Sequence, residues 1–534
     1  MTRPRRDEDS LLTAHLAKRL TAYSAAAGVV LAMSPRAEAA IRWFQPATPL
    51  TVDHSTSISI DMDNDGIPDF SFAWTGSTFD VASVVVNRKH AANRFDGTGN
   101  VAQRLLKGYV VHPTLDVGAA LLMRAEWDCL PSSSARRIAR PMTCYPTYLW
   151  GAGAFNEGAS GYVGVRFRGG VGEDYNGWIH FTGGTSAQHL SGRIDEWAYE
   201  DSGGAIKAGA STIAHAFLDD LNGNGFSEYA LLRVIQGASY FSSVLTNDIV
   251  TRTRIKEVPC LGPQFRPVGM TRINNVDGNG NPALAILGVR ENAAKEILAV
   301  RVELRNPATG SLIRNIGFAK GYRPSGLRWL NRDMNGNGVG EMAVLGTHPA
   351  TGRSVVEIRD LLTGALVKRI TVGPDSTVES IGLSYSNDLN GNGSQELVIL
   401  QRNAKTLRSR LNIVDTKTGK RIKTIPCLSE SWVPVGIASV GDLNGNKSLE
   451  QGILARRATA NKVVVKIIDV RTGSILRTVS FNSRYSPQAL ATGDVDGNGV
   501  HELGVLGTNP ADATNRIEIR DPVTGSLKET ILIP

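Results

Sequence analysis

One short string returns six times between residues 211 and 534: DLNGNGFSEYALL from Asp220, NVDGNGNPALAIL from Asn275, DMNGNGVGEMAVL from Asp333, DLNGNGSQELVIL from Asp388, DLNGNKSLEQGIL from Asp442 and DVDGNGVHELGVL from Asp494. The leading residues recur about every 52 to 58 positions, a period that marks a repeat architecture. A second landmark keeps a constant offset from the first: RDLLTG at 359–364, VDTKTG at 414–419, IDVRTG at 468–473 and RDPVTG at 520–525. Between landmarks lie short apolar runs such as MAVLG and VVEIRD, broken by Gly, Pro, Asn and Thr, which gives about four strands per unit. No long helical pattern interrupts them.

Asn-Gly between apolar runs is an ordinary hairpin turn, because both residues tolerate positive φ. A turn needs neither the leading Asp nor the later Glu, whereas a calcium loop needs both: oxygen ligands at alternate positions, a Gly at the bend and a closing carboxylate. Four copies keep the whole set, namely Asp220, Asn222, Asn224 and Glu228; Asp333, Asn335, Asn337 and Glu341; Asp388, Asn390, Asn392 and Glu396; and Asp494, Asp496, Asn498 and Glu502. The second copy has Asn275 for the leading Asp and Ala283 for the Glu, and the fifth has Lys447 at the bend Gly. For those two the metal-free turn is the better reading. Sites with few carboxylates bind calcium at about 0.1 to 1 mM, which suits a calcium-rich exterior.

These tandem D-x-[DN]-G-N-G-x-x-E loops before an apolar strand resemble the FG-GAP or VCBS-type repeats of integrin alpha chains and exported bacterial proteins. The resemblance spans about 211–534 and implies a calcium-bearing β-propeller whose metal loops join the first and second strands of each blade. Integrin propellers have seven blades and this chain has six copies, so six is expected and seven is the alternative. The expected fold class is all-β, a propeller preceded by a β-sandwich.

Residues 1–39 read as an export signal: Arg3, Arg5, Arg6, Lys18 and Arg19, then LTAYSAAAGVVLAM, then the small-residue pattern AEA at 37–39. Residues 41–210 read as the sandwich, with the acidic loop DMDNDGIPDF supplying Asp61, Asp63, Asp65 and Asp69 as a further calcium set. The stretch GYVGVRFRGGVGEDYNGWIHF, followed by GRIDEWAYE, resembles sandwich ends of exported bacterial surface proteins. Cys129 and Cys144 bracket a loop and are candidates for a bridge. Cys260 and Cys427 sit at matching places three repeats apart, and buried free thiols are expected there. No run reaches the roughly 20 apolar residues of a membrane helix.

The formal charge of +8 suggests an anionic partner. The two-to-three connections carry Arg290, Lys295, Arg353, Arg402, Lys405, Arg408, Arg410, Arg456, Arg457, Lys462 and Arg516. The four-to-one connections bring Phe265, Tyr322, Trp432 and Tyr485, each two residues before a Pro, as candidate ligand platforms for sugars. Wedging between blades is the competing reading. Catalytic signatures are absent from the sequence: no G-x-S-x-G, no H-E-x-x-H, no phosphate loop. His215, Arg272, Arg328 and Tyr385 fall on inner strands. The expectation is a periplasmic or secreted, calcium-stabilised, monomeric binding or adhesion protein for a polysaccharide, glycan or protein ligand, with nucleic acid not expected. The alternative is a calcium-dependent polysaccharide lyase or hydrolase.

Overall fold

The computed structural model describes most of residues 41–534; residues 1–40, 103–109, 112–118, 131–142, 148–158, 169–173, 185–190, 277–281 and several shorter stretches, Asp65 among them, lie outside the described residues. The expected export signal therefore falls outside them.

Six four-stranded antiparallel sheets follow one another from Ser211 to Ile533, each built from consecutive strands. The first is Ser211–Leu218, Glu228–Gln236, Tyr240–Asp248 and Arg254–Cys260, and the sixth is Ser486–Gly493, Glu502–Thr508, Asn515–Arg520 and Leu527–Ile533. The first strand of every sheet touches the first strands of the sheets before and after it, and that of the sixth touches that of the first. This is a closed six-bladed β-propeller.

Local sequence explains why the inner strands can crowd the axis. Each inner strand carries a register shift at the same height, at Gly269, Gly326, Gly382, Gly436, Ala489 and Ala214. Such bulges bend a strand sharply. A Cβ on Gly326 would meet the Leu383 Cβ at 2.8 Å, and one on Gly382 would meet Ile437 at 3.0 Å. The small residue of one blade thus seats the aliphatic residue of the next. Second strands are apolar almost throughout, as strands buried on both faces must be: Ala285, Ile286 and Leu287, or Leu397, Val398, Ile399 and Leu400, are all buried.

Among the described residues no strand is exchanged to close the ring. The seam between blades six and one is side-chain packing: Phe217, Tyr229 and Leu231 against Leu506, Ile517 and Ile531. A Cβ on Gly493 or Gly504 would come within 2.6 Å of Phe217, so both glycines leave room for its ring.

Residues before 211 form two larger sheets and a two-stranded one that pairs Val110–Val111 with Ile206–Lys207. Of the larger two, one orders the strands Ile41–Phe44, Gly192–Glu200, Asp174–Gly183 and Ser160–Arg168; the other includes Ile58–Ile60, Phe70–Ser77, Val81–Arg88 and Ala119–Leu130. They face each other across Phe70, Phe72, Phe167, Phe181 and Ile179, a sandwich core. Register sets Cys129 directly opposite Cys144 on paired strands. Cys260 and Cys427 are buried free thiols, and burial pushes the Cys427 thiol up to about 12.

The sandwich is welded to the first blade. Trp178, Tyr162 and Ala198 pack with Ile235 and Phe241, and Trp43 stacks on Phe241 at 5.6 Å. At the centre Arg233 pairs with Glu196 at 3.0 Å and Glu257 at 3.5 Å, while Trp43 Nε1 donates to Glu196 at 3.1 Å. All three charged groups are buried or nearly so.

Candidate metal centres and the channel

Because each blade is a meander, its first-to-second and third-to-fourth connections share one face, and its second-to-third connections share the other. The Asp-led loops join first to second strands, as the resemblance implies. In the fourth blade Asp388 gathers the loop backbone: Oδ1 accepts from Gly391 N at 2.7 Å and Oδ2 from Gly393 N at 2.6 Å. Gly393 has φ of 85°, which a Cβ would oppose. Glu396 is fully buried; its Oε2 accepts from Leu389 N at 2.8 Å, and its Oε1 has no hydrogen-bond partner. Glu228, Glu341, Glu450 and Glu502 repeat this: one oxygen on a loop amide, the other buried and unpartnered.

A buried carboxylate oxygen without a donor is costly, and a hard cation is its natural partner. Burial pushes Glu341 and Glu396 up to about 7, and it raises Glu228, Glu450 and Glu502 as well. In the five loops that carry the closing Glu the residues fit a calcium ion: the first, third and fifth positions and that Glu would hold it.

The second landmark has a structural reason. Its Asp opens the third-to-fourth hairpin on the same face and accepts the loop amides. Asp360 Oδ2 takes Asn335 Nδ2 at 2.7 Å and also Asn337 Nδ2, and Asp248 takes Asn222 Nδ2 at 2.7 Å and also Asn224 Nδ2. With the nitrogens so tied, the amide oxygens turn into the loop, where Asn335 Oδ1 accepts from Asn337 N at 3.1 Å. In the sixth blade Asp496 replaces the first of these Asn residues and faces Asp521 with no N–H to offer. Lys528 stands between them, 2.8 Å from Asp496 and 3.8 Å from Asp521.

The fifth loop, doubtful from sequence, keeps the same form: Lys447 takes φ of 67° and its N–H still reaches Asp442 at 2.8 Å. The second loop has buried Ala283 where the others have Glu, and its Asp277 is outside the described residues. The sandwich loop joins the paired strands Ile58–Ile60 and Phe70–Ser77 with the same bonds: Gly66 N to Asp61 and Met62 N to Asp69, both 2.8 Å. Carboxylate oxygens of Asp61, Asp63 and Asp69 lie within 4.8 Å of one another, as do those of Asp494, Asp496 and Glu502.

The four aromatics expected as a ligand platform each have a neighbour of their own. Each is half-buried in its own blade seam under a basic or imidazole group: Phe265 under Arg301 at 4.0 Å, Tyr485 under Arg516 at 4.2 Å, Trp432 under Lys466 at 5.5 Å, and Tyr322 beside His348 at 5.6 Å. Of the basic residues on that face, Arg408 already pairs with Glu430 at 3.1 Å and Arg290 donates to Gln264 at 2.8 Å.

Sequence reading missed the staples beneath them. Buried Glu303, Glu357 and Glu518, on third strands, each accept a backbone N–H from the connection entering their blade, at Leu261, Ala319 and Asn482. It also missed a cavity of about 400 Å³ where the channel opens on the loop face. His215 borders it, buried and held down to about 4 by loss of water.

The fold and its loops define an all-β protein built on a six-bladed propeller with repeated acidic connections. No family model matches the chain, and no curated protein matches it. Solved structures to which it is similar include the Dos1 propeller, at 11% identity and TM-score 0.35 over 61% of this chain and 72% of that one. Others are the hydrazine synthase of Kuenenia stuttgartiensis, at 14% and 0.36 over 60% and 86%, and the β-propeller domain of the Trilobed protease from Pyrococcus furiosus, at 11% and 0.31 over 70% and 93%. Among the described residues no helix is long and apolar enough to cross a membrane.

Proposed function

We propose that this chain is an exported, calcium-stabilised binding protein of FG-GAP or VCBS type that recognises an acidic or carbohydrate ligand. The observation that carries the metal part is the recurrence of a fully buried Glu with one unpartnered oxygen at the ninth position of five loops. A turn without an ion has no use for it. Bound calcium would supply that oxygen with a partner and neutralise the loop carboxylates; Asp220, Asp333, Asp388 and Asp494 orient the loop amides around it. The basic balance of the chain and the half-buried aromatics support an anionic or sugar ligand. Calorimetric titration of calcium into chelator-treated protein tests the metal; a glycan array read with and without chelator tests the ligand. No heat of calcium binding at millimolar concentration would sink the first part, and an empty array the second.

A second reading, hydrolysis, has one observation behind it. On the sandwich, Ser160 Oγ lies 2.9 Å from His180 Nε2, and His180 Nδ1 lies 3.3 Å from Asp195. With the imidazole proton on Nδ1 toward Asp195, Nε2 accepts the Ser160 hydroxyl, the arrangement an acyl-transfer nucleophile needs. Fluorophosphonate labelling that Ser160→Ala abolishes would support it; an unlabelled native protein would retire it.

A further inference from the structure

We propose that the channel mouth on the face of the aspartate loops binds a sugar acid, whose carboxylate is received by Arg328. This deepens the reading of an acidic carbohydrate ligand and rests on it; the inner-strand wall of the pocket is formed by side chains outside the calcium loops.

Each inner strand sends one side chain to the same height, one ladder pair before its end: Phe217, Arg272, Trp329, Tyr385, Ser439 and Thr492. All six border the cavity of about 400 Å³. That lies in the range of roughly 300–1,000 Å³ typical of small-ligand pockets, ample for one sugar ring. Half-buried Trp329 and Tyr385 bring aromatic rings, Ser439 a hydroxyl, and Thr492 a hydroxyl that donates to Ser439 O at 2.8 Å, a mixture that suits a pyranose better than a purely aromatic acid.

The charges decide the ligand's sign. Arg272 is paired with Asp219. Asp494 at the rim is engaged by Asn498 N and Gly499 N, and Asp220 by Gly223 N and Gly225 N. Arg328 has no carboxylate within ion-pair distance among the described residues. Its one hydrogen bond is a long one, 3.4 Å from Nη2 to Ile437 O across the ring, and its Nε is buried without a partner. It is half-buried on an inner strand and borders the cavity. Burial holds its pKa below the ordinary guanidinium value. A desolvated cation with unused donors costs free energy that a planar carboxylate returns through two parallel hydrogen bonds.

The test titrates glucuronate, glucose and benzoate into the full chain, with calcium and with chelator, following heat and tryptophan fluorescence. Glucuronate is expected to bind at least tenfold tighter than glucose, and Arg328→Gln to remove that preference. Because Arg328→Gln could disturb the ring, Ser439→Trp, which fills the mouth from its wall, is the second variant and is expected to abolish binding with the melting temperature kept. Glucuronate binding in chelator with no calcium uptake would uphold the pocket and sink the calcium reading. Calcium uptake without glucuronate binding would overturn the pocket alone. Benzoate equal to glucuronate, or binding unchanged in both variants, would also overturn it.

Discussion

The sandwich loop at 61–69 and the blade loop at 388–396 share one plan on two unrelated sheets. In both, the first-position Asp accepts the N–H of the sixth-position Gly, and the ninth-position acid accepts the N–H of the second residue. Their charges differ: Asp63 stands where Asn390 does, and the blade asparagines are tethered to an Asp two strands away, as at Asp360 and Asp248. The difference teaches that the cage is a property of the nine-residue hairpin, whereas its charge is set by the surrounding sheet. Neutral ligands lower affinity, and six acid-rich loops crowded on one face would repel each other.

Removing calcium altogether tests whether the plan is a metal cage in either place. Four intact blade loops at about 1.4 kcal/mol each, with free calcium tenfold above the dissociation constant, give the largest effect expected, and it should appear as a lowered melting temperature in chelator. If the melt is unchanged, both loops are turns only.

Breaking the weld lets the two regions be compared separately. Glu196→Gln leaves Arg233 short of a buried counter-charge and should cost about 3–5 kcal/mol. Calorimetry is then expected to resolve the single transition into two, of which the sandwich's responds to less calcium.

His215 reports on the propeller alone. Its folded pKa, about 4, lies below its ordinary 6.5, so the unfolded chain binds the proton first and stability falls as pH drops from 6.5 toward 4. The loss approaches about 3 kcal/mol at the bottom of that window. Denaturant midpoints of His215→Phe, compared with the native chain across the window, should lack this component; identical pH profiles would show the imidazole titrates freely.

Lys447→Gly relieves a side chain from positive φ and should stabilise by about 1 kcal/mol while bringing the fifth loop closer to its neighbours' calcium response. The smallest effect belongs to Lys528→Gln. It leaves Asp496 and Asp521 facing each other, and it is expected to make stability more calcium-dependent; Asp496→Asn in the same chain should cancel the change.

Much of the propeller was legible because its signals are local. Asp388 and Glu396 are eight residues apart, so one hairpin contains the whole pattern, and repetition fixes strand order. The second landmark was visible at its constant offset, but its purpose required seeing Asp360 beside Asn335 across a blade. Arg233 and Glu196 meet across 37 positions and two folds, which no period reveals. Phe265, Tyr322, Trp432 and Tyr485 lie on the connections expected, yet the neighbour of each ring comes from elsewhere in the blade: from a third strand for Phe265, Trp432 and Tyr485, and from the second-to-third connection for Tyr322. The channel mouth was missed because it takes one residue from each of six repeats, and those residues share no type.

The seam without strand exchange also has a consequence for synthesis. The first blade's flank of Phe217, Tyr229 and Leu231 is complete when about 250 residues exist, but the surfaces that cover it, Leu506 and Ile531, arrive some 250 to 280 residues later. At about 5–20 residues per second, that exposes a greasy edge for roughly ten seconds to a minute on every nascent chain. A holdase at that edge during translation would answer the need.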